Sequence, residues 1–368
     1  MTTGSHRNAS FYNSATGDHM RAHLIATLLA TVSIQAALMR SGVAAQTNGT
    51  LTAVAGLKVG HHTLKERPTG CTVILAEAGA TAGVDVRGAA PATRETDLLN
   101  PVNTVQVVHA VVLSGGSAFG LDSASGVMRY LEEKKIGFEF GPAHVPIVSA
   151  AALFDLQVGD GTIRPNADCG YRAAAAASNA AVPEGSVGAG AGATIGKTGG
   201  MGRAMKSGIG SAAITLPNGL IVAALVALNA AGDVVDPSNG QIVAGVRGSD
   251  GRSFADARRL LRSGVLSFGG TGQNTTLGVV ATNARLTKTA TTRMAQMAHD
   301  GFARTIVPAH TPVDGDAIFA LATGALAVNA DIGQVGALAA EAVADAVVRA
   351  ARQATSAAGV PALRDLAR

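Results

Sequence analysis

Hydrophobic residues along this chain gather in short continuous runs, and most of these runs have the length of one β-strand. Apolar runs of this length that are bounded by Gly, Pro and Asn are typical of buried strands. The pattern predicts strands within residues 51–62, 71–76, 82–86, 105–113, 145–153, 207–215, 220–228, 277–282 and 311–323. The sequence Pro217-Asn218-Gly219 predicts a hairpin turn between two of these strands.

Helical periodicity is confined to fewer segments, which lie mostly apart from the strands. Helices are expected at residues 123–131, 168–181, 254–262, 288–302 and 329–353. Met294, Met297 and Ala298 share one face of the helix at 288–302. Because strands come in runs and long helices come separately, the sequence favours a layered α+β fold over a doubly wound parallel sheet.

Two glycine-rich segments are candidates for the lining of a site. The strand at 105–113 leads into a glycine-rich turn that contains Ser114, Gly115, Gly116 and Phe119, and a helix follows. A strand, a glycine-rich turn and a helix N-terminus in this order can also form an anion site. The glycine spacing is neither a dinucleotide fingerprint nor a P-loop, so we interpret these four residues as one wall of a substrate pocket. Residues 185–202, which include Lys197, are interpreted as close-packed backbone lining a site rather than as a flexible linker.

A third glycine-rich stretch, residues 269–272, leads through Asn274 and Thr275 into the strand at 277–282. If the bond between Asn274 and Thr275 were cut, Thr275 would carry both a hydroxyl and a free α-amine. An α-amine titrates at about 7.7–8, so it could accept the hydroxyl proton and make the oxygen a nucleophile. A polar turn ahead of a core strand is the alternative interpretation of the same residues.

Composition narrows the class of protein. The chain has 368 residues, of which 47% are hydrophobic and 15% charged, which is enough for one large core or two smaller ones. The net charge is +4 and the basic residues are scattered, so a nucleic-acid partner is not expected.

The cysteines and histidines give no metal motif. Cys71 and Cys169 lie far apart, and a disulfide in an exported protein and two buried thiols are both compatible with the sequence. The histidines, including His61 and His62, show no zinc-site spacing. We therefore expect no metal.

The first 45 residues resemble an extension followed by a secretory signal. Arg21 and His23 precede an apolar run at 24–39, and small residues at 43–45 suggest cleavage before Gln46. This predicts a signal peptide at about residues 20–45, export to the periplasm and one catalytic domain at 46–368. A membrane anchor is the alternative, although the run is short for a membrane span.

Several motifs become recognisable when they are taken in their order along the chain. They are Val59-Gly60-His61, Pro68-Thr69-Gly70-Cys71-Thr72-Val73, residues 113–122, Lys197, Asn229, Asn274-Thr275-Thr276 and Asp314-Gly315-Asp316. In this combination the chain resembles the DmpA family of self-processing aminopeptidases and amidases over about residues 50–350. That family includes β-aminopeptidases and nylon-oligomer hydrolases.

The resemblance implies a fold, a self-cleavage and a set of roles. The implied fold is a four-layer αββα sandwich of the type shared with ornithine acetyltransferases, which resembles N-terminal nucleophile hydrolases. The implied cleavage at Asn274–Thr275 divides the chain into an α chain, 46–274, and a β chain, 275–368. Thr275 would be the nucleophile and its α-amine the base, with Asn229 as oxyanion donor. Lys197 would act beside the amine, and Asp314 and Asp316 would orient the nucleophile.

Each of these roles has an ordinary structural alternative. Asn229 could be a turn asparagine, Lys197 a surface lysine, and the two aspartates a simple turn or a weak cation site. One position departs from the family, because some members have Tyr where this chain has Phe154. A contact made by that hydroxyl would be missing, which affects the substrate more than the self-cleavage.

The expected activity is hydrolysis of amide bonds in small peptides or amino-acid amides through an acyl-enzyme on Thr275. The alternatives are an amidase for linear oligoamides or pantetheine-like amides, and a non-catalytic, unprocessed binding protein. The chemistry requires no cofactor. The resemblance also implies a homo-oligomer of αβ units, and we expect no stable membrane association after signal removal.

Overall fold

The computed structural model describes residues 49–264, 274–326 and 330–366. The expected signal segment at 20–45 and the glycines at 269, 270 and 272 lie outside these residues. Within them, β-strands are formed by the following segments: β1 Lys58–Thr63, β2 Gly70–Val86, β3 Thr93–Arg94, β4 Val107–Ser114, β5 Phe138–Phe140, β6 Ala143–Val145, β7 Val148–Ala152, β8 Thr194–Ile195, β9 Met205–Lys206, β10 Ile209–Thr215, β11 Ile221–Ala227, β12 Asp233–Val235, β13 Ile242–Ala244, β14 Leu277–Ala284, β15 Ile306–Val307 and β16 Ala317–Leu326.

The helices of the described residues fall into two long elements and several short ones. The α-helices are α1 Ser123–Glu133, α2 Ala167–Ala175, α3 Ala257–Arg262, α4 Lys288–Thr305, α5 Ile332–Gln353 and α6 Leu363–Leu366. Short 3-10 turns occur at Leu51–Ala53, Asp97–Leu99, Ser117–Asp122, Gly188–Gly190, Lys197–Gly199 and Met201–Arg203. Among the described residues, no helix is both long and apolar enough to cross a membrane.

One large sheet organises the chain, with the strand order β10-β11-β14-β16-β2-β4-β7-β3 and β1 paired to β2. Its neighbours are antiparallel except for the parallel pairs β14–β16 and β4–β7. The long strand β2 belongs to both halves of the sheet. Its first residues pair with β1 and β4, its last residues pair with β16, and the β2–β4 register shifts between Leu75 and Ala80. Such an irregularity bends a strand, which allows the two halves to face each other.

Three clusters of buried side chains show that the halves of the sheet are stacked between helices. The alternation of side chains across a strand decides which cluster each residue joins. Val222 of β11 packs towards α4 and α5, whereas its neighbour Ala223 packs between the two halves of the sheet. A third cluster joins β2, β4 and β7 to α1 and α2. Three interfaces separate four layers, so the expected α+β fold with αββα layering is confirmed.

The sequence pattern differs from the structure at the edges of elements. The segment 51–62 begins with a 3-10 turn, and strand β1 starts only at Lys58. The strands expected at 71–76 and 82–86 form the single strand β2, because the irregularity near Gly79 does not end it. Cys71 of β2 and Cys169 of α2 form a disulfide, which resolves the choice that the sequence left open.

Candidate active site

Thr275 lies two residues before β14, beside the turn that leads into β16. The two strands run parallel, and an isolated bridge pairs Asn274 with Asp314 ahead of the regular ladder. The backbone N–H of Gly315 donates to the Asn274 carbonyl oxygen at 3.0 Å. A Cβ atom on Gly315 would lie 2.7 Å from the Thr275 hydroxyl oxygen, so glycine is required for this close approach. Strand register therefore brings together two motifs that are about 40 residues apart.

The Thr275 hydroxyl points at the bond expected to be cleaved. Its oxygen hydrogen-bonds the carbonyl oxygen of Asn274, the residue that precedes it, and Thr275 itself is only 3% exposed. The Thr275 backbone N–H donates to the Asn229 carbonyl oxygen at 2.8 Å. A buried hydroxyl is thus held against the carbonyl group of the residue that precedes it.

Asn229 lies just after the end of β11, is fully buried, and hydrogen-bonds to three other segments of the chain. Its Oδ1 accepts from the Thr194 backbone N–H at 3.0 Å and from Lys197 Nζ at 2.9 Å. Its Nδ2 donates to the Phe154 carbonyl oxygen at 2.9 Å. These partners fix the orientation of the amide, since its oxygen faces donors and its nitrogen faces a carbonyl. The alternative was a turn asparagine, whereas this residue is buried and lies outside any turn.

The amine of Lys197 lies within the same group of residues. Lys197 is half-buried as a whole, but its Nζ is surrounded by protein and also lies 3.4 Å from the Asn229 carbonyl oxygen. Burial lowers the pKa of Lys197 to about 7, and the Asp314 and Asp155 carboxylates only partly oppose this effect. Near neutral pH, Lys197 therefore exchanges between a cation and a neutral amine that can accept a proton. The alternative of a surface lysine does not hold either.

Asp314 and Asp316 occupy different environments although one glycine separates them. Asp314 Oδ2 accepts from the Thr311 backbone N–H at 2.8 Å and from the Thr311 hydroxyl at 2.5 Å. Burial and the neighbouring charge of Asp316 raise the pKa of Asp314 to about 6. Asp316 Oδ1 accepts from the Thr276 backbone N–H at 2.7 Å. Asp316 thus holds the strand that carries Thr275.

A buried ion pair supports the site and has no counterpart in the sequence prediction. Arg67 Nη2 lies 2.9 Å from Asp155 Oδ1, and both side chains are fully buried. The same Asp155 oxygen accepts the Gly116 backbone N–H at 2.9 Å. Asp155 directly follows Phe154, whose carbonyl oxygen accepts from the Asn229 amide. The Asp155 carboxylate therefore holds the loop at Gly116 and also the backbone next to Phe154. The only sequence signal was an acidic residue at the end of an apolar strand.

Lys206 is a second buried lysine that the sequence patterns missed. Its Nζ donates to the carbonyl oxygens of Ala191 and Ala193 at 2.8 and 2.7 Å. Burial lowers the pKa of Lys206 to about 7 as well. Through these two bonds Lys206 stabilises the glycine-rich segment at 188–196. The backbone of this segment is closely packed, as expected from the sequence. A Cβ on Gly192, for example, would lie 2.4 Å from Asp155 Oδ2.

The expected pocket wall is only partly brought to the site. Gly116 is tied to it through Asp155, and the Gly115 backbone N–H donates to the Gly70 carbonyl oxygen at 2.9 Å. Ser114 is buried, with its hydroxyl 3.3 Å from that of Ser123 in α1. Phe119 is 59% exposed, and the Arg164 guanidinium lies 3.7 Å from its ring centroid. Within the described residues no hydrogen bond joins Ser114 or Phe119 to Thr275.

The contact that position 154 makes in this structure comes from its backbone rather than from its side chain. Phe154 offers its carbonyl oxygen to Asn229, and this carbonyl is present whatever side chain stands at the position. Across the described ranges, no group of three or more His, Cys, Asp and Glu side chains is placed to hold a metal ion.

Replacing Asn229 tests its role, and Asn283 supplies a matched control. Asn283 is also buried, and its amide likewise bonds backbone groups, at Ile221 N and Gly219 O, at the far end of β14. If Asn229 donates to the oxyanion, as the resemblance implies, Asn229→Ala should lower kcat by about 10²–10³-fold, because that donor and a partner of Lys197 are lost. Asn283→Ala should lower the melting temperature about as much as Asn229→Ala does, and it should leave kcat unchanged. Equal losses of kcat in both variants would show that Asn229 contributes only to packing and has no specific role in catalysis.

Comparison with known proteins places the chain in a family. The sequence profile of peptidase family S58 matches residues 49–363. An uncharacterised aminopeptidase of Mycobacterium tuberculosis (strain ATCC 25618 / H37Rv) is 44% identical over 344 residues, covering 86% of this chain and 97% of that protein. A 6-aminohexanoate-oligomer endohydrolase of Kocuria sp. is 31% identical over 316 residues, covering 81% of this chain and 84% of that protein.

Solved structures agree on the fold. A β-aminopeptidase of Burkholderia sp. superposes with a TM-score of 0.62 at 24% identity, covering 86% of this chain and 93% of the other. The L-aminopeptidase D-Ala-esterase/amidase of Ochrobactrum anthropi, described as a variant of the Ntn-hydrolase fold, gives 0.63 at 19% identity, covering 85% and 88%. The αββα sandwich, together with relatives named aminopeptidase and oligomer endohydrolase, defines a class of peptide-bond hydrolases. The chain belongs to peptidase family S58, so the family and the enzyme class expected from the sequence are confirmed.

Proposed function

We propose that this protein is a self-processing hydrolase of the Asn-Thr subtype, in which Thr275 first cuts its own chain and then cleaves substrate amides. The observation that carries the proposal is the contact of the Thr275 hydroxyl with the Asn274 carbonyl, together with the Thr275 N–H bond to Asn229. In the precursor the hydroxyl oxygen attacks the Asn274 carbonyl carbon. The bond to the Thr275 nitrogen breaks, which leaves Asn274 as an ester on the Thr275 oxygen and the nitrogen as a free amine. Water then hydrolyses the ester and restores the hydroxyl.

The precursor needs a proton acceptor other than the α-amine, because that amine does not exist before cleavage. Lys197 is suited to this step, since its pKa is lowered to about 7 and its Nζ lies 3.4 Å from the Asn229 carbonyl that binds Thr275 N–H. After cleavage, the α-amine of Thr275 becomes the base for turnover. A partly charged Lys197 nearby would disfavour its protonated form and keep it a usable base.

The substrate is proposed to be a small peptide or an amino-acid amide, cleaved through an acyl-enzyme on Thr275. The aminopeptidase name of the 44% identical relative supports this choice. The second candidate is a linear oligoamide, which is favoured by the relative named 6-aminohexanoate-oligomer endohydrolase. Pantetheine-like amides are a further alternative within the same chemistry.

A substrate panel on processed protein tests the proposal. Amino-acid amides, short α- and β-peptides, pantetheine and 6-aminohexanoate oligomers would be incubated with the enzyme, and the products identified by mass spectrometry. Release of an amine from amino-acid amides or short peptides, at a higher kcat/KM than from the oligomers or pantetheine, is the expected result. A preference for the oligomers would favour the second candidate. A processed protein that cleaves no member of the panel would contradict both.

The processed protein is further proposed to be a homo-oligomer of αβ units. The family resemblance motivates this, together with exposed apolar side chains such as Phe138 and Phe140 of the β5–β6 hairpin. Light scattering at micromolar concentration should give a mass that corresponds to two or more αβ units. A mass equal to a single unit would refute this proposal.

Export with removal of residues 1–45 is the last part of the proposal. It is motivated by the charged start, the apolar run and the small residues at 43–45. N-terminal sequencing of the α chain from the native host should begin at Gln46. A cytoplasmic product that retains residues 24–39 would rule it out.

A further inference from the structure

Asp316 is held by a residue that the proposed mechanism does not yet use, His310. Asp316 Oδ2 accepts from both the backbone N–H of His310 at 3.2 Å and its Nδ1–H at 2.8 Å. The other oxygen, Oδ1, accepts from the Thr276 backbone N–H at 2.7 Å. The carboxylate therefore bridges His310 to the strand that presents Thr275.

The backbone of His310 is in a conformation that L-residues avoid. Its φ is +53°, in the left-handed region that glycine and asparagine tolerate best. Such strain is retained where the surrounding structure imposes it, and it is concentrated at functional sites. Here the conformation allows the N–H and the ring Nδ1 of a single residue to reach the same carboxylate oxygen.

Packing fixes the His310 ring from the helix side. Its centroid lies 4.8 Å from that of His299 and 6.2 Å from that of Phe302, both in α4. His299 Nε2 bonds the Asp85 carbonyl oxygen of β2 at 3.0 Å. Because burial lowers the pKa of His299 to about 4, its ring is neutral at pH 7. The ring that packs against His310 is therefore uncharged.

We propose that His310 is a positioning residue for the nucleophile. By fixing the Asp316 carboxylate it holds the Thr276 amide, and through it the start of β14, at the place where the Thr275 hydroxyl meets its target carbonyl. This inference rests on the proposed role of Thr275. It assigns to His310 an effect on both self-cleavage and turnover, and none on substrate affinity.

Two substitutions separate the hydrogen bond from the backbone strain. His310→Gly and His310→Asn both accept a φ of +53°. Only Asn keeps a side-chain N–H at about the position of Nδ1. Since a hydrogen bond to a charged group is lost, the Gly variant should self-cleave about 10–100-fold more slowly than the wild type. The kcat of its processed form should fall by a similar factor while KM changes less than about twofold. The Asn variant should recover most of both rates.

The readouts are the rate at which the fragment beginning at Thr275 accumulates, kcat and KM on one active amide substrate, and the melting temperature. A Gly variant that cleaves and turns over like the wild type would overturn the proposal. The proposal would also be overturned if the Gly and Asn variants showed the same changes in kcat, KM and melting temperature. That result would indicate that His310 has only a structural role. If the Gly variant does not fold, His310→Ala serves as the donor-free variant in the same comparison with Asn. Thr275→Ala is run in parallel, because cleavage in that variant would refute the nucleophile itself rather than the role of His310.

Discussion

Thr275→Ala remains a single chain and hydrolyses no amide; this is the largest effect expected from any substitution in the protein. The substitution removes the oxygen that both reactions require, so self-cleavage and turnover should each fall by at least about 10⁴-fold. Thr275→Ser should retain part of both activities, because the hydroxyl survives and only a methyl group is lost. Denaturing mass spectrometry of the purified chain measures the cleavage, and the substrate panel measures the turnover.

The neighbouring threonine provides the matched control. Thr276 is fully buried, and among the described residues its hydroxyl has no hydrogen-bond partner. Thr276→Val keeps the shape of the side chain and should still process and hydrolyse, since side chains alternate along a strand and Thr276 faces away from Thr275. The assignment of the nucleophile would be wrong if the β chain began at Thr276. It would also be wrong if Thr275→Ala still split.

Most of the residues proposed for the site could be named from the sequence because they stand in short motifs that resemble those of a known family. Asn274, Thr275, Asp314 and Asp316 could be named without knowing that β14 and β16 run side by side. Their proximity comes from a parallel pairing that joins distant segments, and no local pattern contains that information. The core strands were predictable for a related reason, since a continuous apolar run marks a buried strand wherever it lies.

The supporting residues could not be predicted, because each acts through a partner far away in the sequence. Arg67 and Asp155 are 88 positions apart, and the value of their ion pair depends on complete burial of both side chains. His310 looks like an ordinary loop histidine until its carboxylate partner and left-handed backbone are seen. The shifted pKa of Lys197 has the same origin, since it follows from burial rather than from residue type.

That shifted pKa changes the role expected for Lys197. The family resemblance implied that Lys197 acts beside the amine of Thr275 as a cation, whereas a pKa of about 7 leaves much of the side chain neutral at neutral pH. The base form is present above this pKa and absent below it. If neutral Lys197 accepts the Thr275 proton in the precursor, the rate of self-cleavage should rise with pH through about 7 and then level off.

Two substitutions distinguish a base from a cation. Lys197→Met should slow self-cleavage by about 10²–10⁴-fold, because general-base assistance is lost. Lys197→Arg keeps the positive charge but cannot give up its proton, so it should be slowed nearly as much. An Arg variant that cleaves at the wild-type rate would show that only the charge matters.

Lys206 separates this effect from the general consequence of removing a buried amine. It shares the pKa of about 7, but it donates to the Ala191 and Ala193 carbonyls rather than to Asn229. We expect Lys206→Met to lower the melting temperature, because two carbonyl oxygens lose their partner. Its self-cleavage should nevertheless still rise through pH 7. The measurement is the cleavage rate of freshly refolded precursor from pH 5 to pH 9, followed on denaturing gels. If the rise persists in Lys197→Met and disappears in Lys206→Met, the titrating group is Lys206, and the assignment of Lys197 as the base is wrong.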